Sequence, residues 1–204
     1  NGEPERQSLK MPVALMDILA GHHLKEGLLL AMLEKSQTGK GKFVEISLIQ
    51  AGIASLANQA NNWLVAGKLP QKQGSAHPNI APYGDVYKTR DEKEVILAVG
   101  SDRQFQNLAE ILKIRPENVE KFKNNRVRVE KRGDLHQILN NAISQITSAE
   151  LMLQANKFNI PVGVIQNLQE VFEMPEAKEL LLNAGHLAGL RTYAGQTSAS
   201  LATH

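Results

Sequence analysis

The chain has 204 residues, 42% hydrophobic and 22% charged, a globular balance that suits one large domain or two small ones. It contains no cysteine, which excludes disulfides, thiolate metal sites and a cysteine nucleophile. Aromatic residues are only 4%, with a single Trp, and 23 Lys and Arg face 21 Asp and Glu, so neither a base-stacking surface nor a polyanion partner is expected.

No apolar run reaches the length of a membrane span, and NGEPERQSLK at the start has no signal-type apolar core. The expected setting is cytoplasmic, with no membrane contact. The first residue is not Met, and the chain reads as part of something longer.

In chain order, MPVALMDILAGHH comes first: an apolar run, Val13 to Met16, ends in one carboxylate, Asp17, and a helical pattern follows. Leu24, Leu28, Met32 and their neighbours carry that pattern to about Ser36, with Asp17 as a suitable N-cap. Gly21 and Gly27 inside it are expected to mark close approaches of another backbone. After the turn Thr38-Gly39-Lys40-Gly41, the segment KFVEISLI (42–49) alternates as a strand does. A helix is expected from about Gln50 to Val65. This order of pieces suits an α/β layer with a partly parallel sheet.

Residues 67–82 hold three prolines and two glycines and read as a loop or domain linker. GDVYKT and EVILAVG then form two strands around the turn 90–93, and a helix capped by Asp102 covers 102–113. A basic stretch occupies 121–133. Helices follow at about 134–146 and 148–158, the second with Ser148 at a capped start. IPVGVI (160–165) is β-branched and extended, and 168–185 reads as two short helices broken at Pro175. The tail after Arg191 is small, polar and either mobile or docked on another part.

Each chemical candidate has a plain structural alternative. Asp17 is either a helix cap or a nucleophile held ionised by the helix start, and spacing does not separate the two. His22 and His23 are adjacent, so they point apart and make a poor chelate; solvent and local packing are the better reading. His77 lies in the Pro/Gly loop, where it is either a substrate contact or, more simply, a surface histidine. Thr38-Gly39-Lys40-Gly41 lacks the strand and the glycines of a phosphate loop and reads as a tight turn. The basic run, with Lys121, Lys123, Arg126, Arg128, Lys131 and Arg132, reads as a solvated face diluted by Glu120 and Glu130.

The order of the pieces adds more. The apolar run ending in Asp17, TGKGKFVEISLIQA, GSAHPNIAPYGDVYKTRD, GSDRQFQNLAEIL, FKNNRVRVEKRGDL and NIPVGVIQNLQEV occur in one order with compatible spacing. Together they resemble the family III CoA-transferases, the CaiB/BaiF or formyl-CoA-transferase-like family, over its C-terminal portion. Val164 stands where that family usually has proline.

The resemblance implies an α/β fold. Residues 1–67 form the later part of a Rossmann-like large domain, 68–73 a linker, 74–190 a smaller α+β domain, and 191–204 a segment returning to the large domain. It implies an interlocked homodimer, with most CoA-binding residues in an N-terminal half outside these residues. A piece like this alone is expected to expose apolar surface, to be inactive, and to aggregate or fail to bind CoA. The implied activity moves CoA between a small acyl-CoA and a carboxylic acid. Asp17 attacks the thioester, expels CoA thiolate and forms a mixed anhydride; the thiolate then attacks the acyl group handed over by the incoming acid. Gly74, Ser75, Ala76 and His77 fall in a family segment that closes over the substrate, where backbone amides stabilise an oxyanion. No metal and no tightly bound cofactor are implied; the CoA thioester is substrate. Two other readings are 2-methylacyl-CoA racemisation on the same fold and a non-catalytic scaffold.

Overall fold

The computed structural model describes residues 2–191, 194 and 195; the rest of the tail after Arg191 lies outside the described residues. Three helices come first: α1 (Leu15–Thr38), α2 (Leu48–Ala54) and α3 (Ala57–Leu64). A hairpin, β1 (Tyr83–Lys88) and β2 (Glu94–Ala98), follows the proline-containing loop. Five helices come next: α4 (Asp102–Ile111), α5 (Pro116–Lys121), α6 (Asn125–Glu130), α7 (Arg132–Ile143) and α8 (Ser148–Lys157). Then β3 (Val162–Val164), α9 (Leu168–Glu173), α10 (Pro175–Lys178) and a second hairpin, β4 (Leu181–Ala184) with β5 (Leu187–Leu190), complete the order.

The first sheet is antiparallel in the order β1-β2-β3, with Val86 opposite Ile96 and Ile96 opposite Gly163. Val95, Leu97 and Val99 alternate onto one face and are fully buried against Phe105 and Leu108 of α4, Leu135, Leu139 and Ile143 of α7, and Leu151 of α8. The connected core runs from Ala81 to Ile160. Residues 15–67 contribute only Ala51 to the buried hydrophobic residues. α1 buries none of its side chains, and Leu28 to Leu30, Met32 and Leu33 are exposed, as are Phe43 and Val65.

Residues 42–47 form no strand, and no parallel pairing occurs among the described residues. Alternation describes a half-buried strand only if a sheet edge accepts its amides, and nothing described before Tyr83 is a strand. The helix expected over 50–65 is two helices, interrupted at Ser55-Leu56 ahead of Ala57 at φ 46°. Gly27 does sit where a side chain would strike Val44, whereas Gly21 faces open space. Capping differs as well. Ser101 and Thr147, not Asp102 and Ser148, are the N-caps of α4 and α8, each closing a capping box with Gln104 or Glu150. The hairpin 181–190 replaces the end of the expected helical pair; its turn uses Gly185 at φ 62°.

Asp91, in the β1–β2 turn, ties that turn to α8. Its carboxylate accepts from Thr89 Oγ1 at 2.7 Å, from Ser148 Oγ at 2.7 Å and from the Ser148 amide at 2.8 Å. These bonds, the Thr89 hydroxyl first, hold the carboxyl well below the usual carboxylate range. The folded value lies below the unfolded one, so the stabilisation is complete above about pH 4 and is lost as pH falls toward the depressed value. Asp91→Ala should therefore be less stable than the parent at neutral pH. Its thermal midpoint should also fall less steeply between about pH 5 and pH 2. An unchanged acid slope in a melting series would rule the coupling out.

Candidate active site

Asp17 lies in the first turn of α1, but it is not the cap: Ala14 holds that position, and its carbonyl accepts from the Ile18 amide at 3.2 Å. The Asp17 carboxylate is exposed and accepts no hydrogen bond among the described residues. It stands at the positive end of a 24-residue helix, where a negative charge is stabilised. The start of α1 rests on α2 through Met16, whose Sδ would lie 2.7 Å from a Cβ built on Gly52. A side chain at position 52 would displace the Met16 thioether. Farther along α1, His22 Nδ1 lies 3.2 Å from Lys25 Nζ, and His23 is exposed.

The loop 74–82 is the second half of the site. Gly74 has φ 66° and lies against the Glu3 carboxylate, where a Cβ would come 2.6 Å from Oε1. The amides of Gly74, Ala76 and His77 donate to the carbonyls of Gly2, Gln73 and Tyr83. Ser75 has the remaining amide of this group, and it makes no hydrogen bond among the described residues. The Ser75 carbonyl lies directly over Gly84, φ 79°, leaving no room for a Cβ there.

His77 is half-buried. Its Nδ1 accepts from the Asn79 amide at 3.1 Å, its Nε2 lies 3.2 Å from the Asn58 carboxamide on α3, and its ring meets Tyr83 edge-on at 5.3 Å. Burial, and then the Arg132 guanidinium, push the imidazole below its ordinary value, which favours the neutral ring. Asn62 and Asn79 exchange reciprocal amide bonds at 3.3 and 2.9 Å. The loop is thus joined to α3 by uncharged carboxamides.

The basic run contains what the sequence reading missed. Asn125, Arg128 and Arg132 are spaced three and four apart and turn toward the loop. Asn125 Nδ2 donates to Asn79 O at 2.8 Å, and its Oδ1 accepts from Ala81 N at 3.1 Å. Arg128, at 0% exposure, donates to Ala81 O at 2.7 Å, Phe122 O at 2.9 Å and Asp102 Oδ1 at 2.6 Å. Arg132 donates to His77 O at 2.5 Å, Ile80 O at 2.8 Å and Asp85 Oδ2 at 2.9 Å. The carbonyls of residues 77, 79, 80 and 81 are therefore all capped by side chains from α6 and α7. The solvated-face reading holds for Lys123 and Arg126, which pair with Glu120 and Glu130 at the surface, but not for Arg128 and Arg132.

No hydrogen bond, ion pair or ring contact joins Asp17 to residues 74–77 among the described residues. The connection runs through α2 and α3: Asp17's turn packs on α2, and α3 holds His77 and Asn79. A mostly apolar cleft of about 700 Å³ opens between α3 and residues 69–76, with Leu56, Trp63 and Leu64 on one wall and Gly74 and Ala76 on the other.

Comparison with known proteins agrees with this arrangement. The family description CoA-transferase family III matches residues 1–187. The chain is 33% identical to succinate–glutarate CoA-transferase of Agrobacterium fabrum over 87% of its own length and 44% of that protein. It is 30% identical to human succinyl-CoA:glutarate CoA-transferase over 86% of its length and 39% of that protein. A crystal structure of a CaiB/BaiF family protein from Brucella suis superposes with a TM-score of 0.71 at 34% identity, covering 94% of this chain and 51% of the other. A Mycobacterium tuberculosis structure at 22% identity shares the fold with a TM-score of 0.80. The chain spans about half, or less, of each of these proteins. Its ordered motifs, its mixed α/β fold and these matches place it together: the chain belongs to CoA-transferase family III.

Proposed function

We propose that the protein carrying this chain is an acyl-CoA:carboxylate CoA-transferase and that Asp17 is its nucleophile. The observation that carries this is an exposed, unbonded carboxylate at the positive end of a long helix in a member of this family. A carboxylate is ionised at neutral pH and needs no general base. It attacks the thioester carbonyl, the carbon–sulfur bond breaks, and CoA leaves as thiolate while a mixed anhydride forms on Asp17. The acceptor carboxylate then attacks the Asp17 carbonyl of this anhydride, and the donor departs as a free carboxylate. The thiolate attacks the acceptor acyl carbon of the new anhydride, forming the acceptor CoA ester and releasing the Asp17 carboxylate. Neither water nor an oxidant is consumed. CoA is carried as substrate, with no tightly held cofactor in the scheme.

The substrate class is a small dicarboxylic acyl group, a reading supported by the names of the two relatives above. Those names also favour transfer over racemisation. Gly74 to His77 face the acyl group, with Ser75 supplying the available amide. The active form is an interlocked homodimer whose other half of the chain covers the apolar face of α1.

The test is chemical trapping in the intact protein. After incubation with succinyl-CoA and quenching with hydroxylamine, peptide mapping should find a hydroxamate at Asp17. Glutarate should be converted to its CoA ester in parallel. Transfer with an unmodified Asp17 would remove it from the chemistry. Exchange of the α-proton with deuterated water in place of transfer would favour the racemase.

A further inference from the structure

We propose that Arg132 is a positioning residue for CoA transfer: its guanidinium, held by Asp85, fixes the His77 and Ile80 carbonyls and keeps the unused amide of Ser75 presented to the substrate. The inference rests on the reading that residues 74–77 face the acyl group.

Three features of the structure carry it. First, the hold is built rather than incidental. Asp85 is 7% exposed and spends Oδ2 on both Arg132 and the Tyr83 amide, which lies 2.9 Å away. The ion pair therefore also fixes the first residue of β1. Second, the hold is directional. A planar guanidinium reaches a carboxylate and two carbonyls at once, and an ammonium on a flexible stem does not reproduce that fork. Third, the loop has little freedom apart from this grip. Gly84 lies under the Ser75 carbonyl, so the Ser75–Ala76 peptide is oriented from one side by β1. His77, two residues on, is gripped at its carbonyl by Arg132 and at its amide by Tyr83 O, which lies 2.7 Å away. The Ser75 amide lies just before these two points, in the Gly74–Ser75 peptide, and donates to nothing among the described residues. By contrast, among the described residues the loop's hydrogen bonds to α3 are the neutral contacts of Asn58 and Asn62. Asn125 and Arg128 fasten the Asn79 and Ala81 carbonyls to the α6–α7 side, and Arg132 supplies the grip nearest Ser75, on His77.

The experiment uses the intact protein with Arg132→Lys and Arg132→Met, assayed with succinyl-CoA and glutarate. Loss of an interaction made only in the transition state lowers kcat and leaves KM largely in place. We expect kcat to fall at least about tenfold in both variants, with KM shifted less than about threefold, the usual result of misplaced transition-state donors. Asp85→Asn should give the same split at smaller size. In the same proteins, the ring nitrogen resonances of His77 should show one locked tautomer in the parent and tautomer averaging in Arg132→Met. Wild-type kcat in folded variants overturns the proposal, and so does full rescue by Lys. If the parent itself transfers no CoA, the transferase reading fails on its own. The His77 spectrum then decides whether Arg132 fixes the loop, and unchanged resonances in Arg132→Met refute that too.

Discussion

Arg128→Met is expected to lower the unfolding free energy of the intact protein by about 3–5 kcal/mol, the usual cost of removing one partner from a buried ionic network. Arg128 is fully buried, and its guanidinium lies 4.7 Å from the Phe105 ring centroid while bonding Ala81 O, Phe122 O and Asp102. Met fills similar volume and retains the contact with Phe105. Most of the loss therefore comes from two main-chain carbonyls stranded without a donor, at roughly 1–3 kcal/mol each. The ion pair contributes less, because Asp102 is half exposed and finds water. Asp102→Ala should accordingly cost less than Arg128→Met. Denaturant melts with unchanged slope would read both values. Equal costs would mean that the charge pair, not the carbonyl capping, carries Arg128's contribution.

The same residue shows what the sequence did and did not disclose. Lys121 to Arg132 looks like a charged surface because local composition is all that a linear reading weighs there. Three of its side chains turn inward because four carbonyls of residues 77–81, some fifty positions earlier, come to lie against α6 and α7 unpaired by any strand. That demand is tertiary. The trace left in the sequence is the spacing of Asn125 and Arg128 on α6, with Val127 and Val129 beside them, followed by Arg132 at the start of α7. The segment 42–49 fails for the opposite reason. Its alternation is correct for a strand, but a strand is a relation between two segments, and the described residues before β1 supply no second one. The β1–β2 hairpin and helices α4, α7 and α8 were legible because each has its own periodicity and the two hairpin strands lie close in sequence, whereas the pairing of β3 with the distant β2 is tertiary. Family membership was legible for another reason: it rests on the order of several motifs, which survives errors in any one element. The site stands between these cases. Asp17 could be named from its motif, but its freedom from capping is visible only because Ala14 takes that position.

That freedom makes Asp17→Asn the sharpest substitution available. Were Asp17 a cap, Asn would replace it almost without loss, and stability and activity would both survive. Because Ala14 is the cap and the carboxylate bonds nothing among the described residues, the folded chain loses only the favourable term between a negative charge and the helix end, about 0.3–1 kcal/mol. On the proposed mechanism the reaction loses its nucleophile, since a neutral carboxamide does not open a thioester. In the intact protein kcat should fall by a thousandfold or more, the scale seen when a covalent nucleophile is deleted, while the thermal midpoint barely moves. Asp17→Glu separates charge from placement. It restores the anion but carries it one methylene farther from α1, and an ångström of misplacement costs on the order of a hundredfold. An Asn variant with more than about a tenth of parental turnover would remove Asp17 from the covalent step. A Glu variant as slow as Asn would leave charge without credit and put the whole effect on geometry.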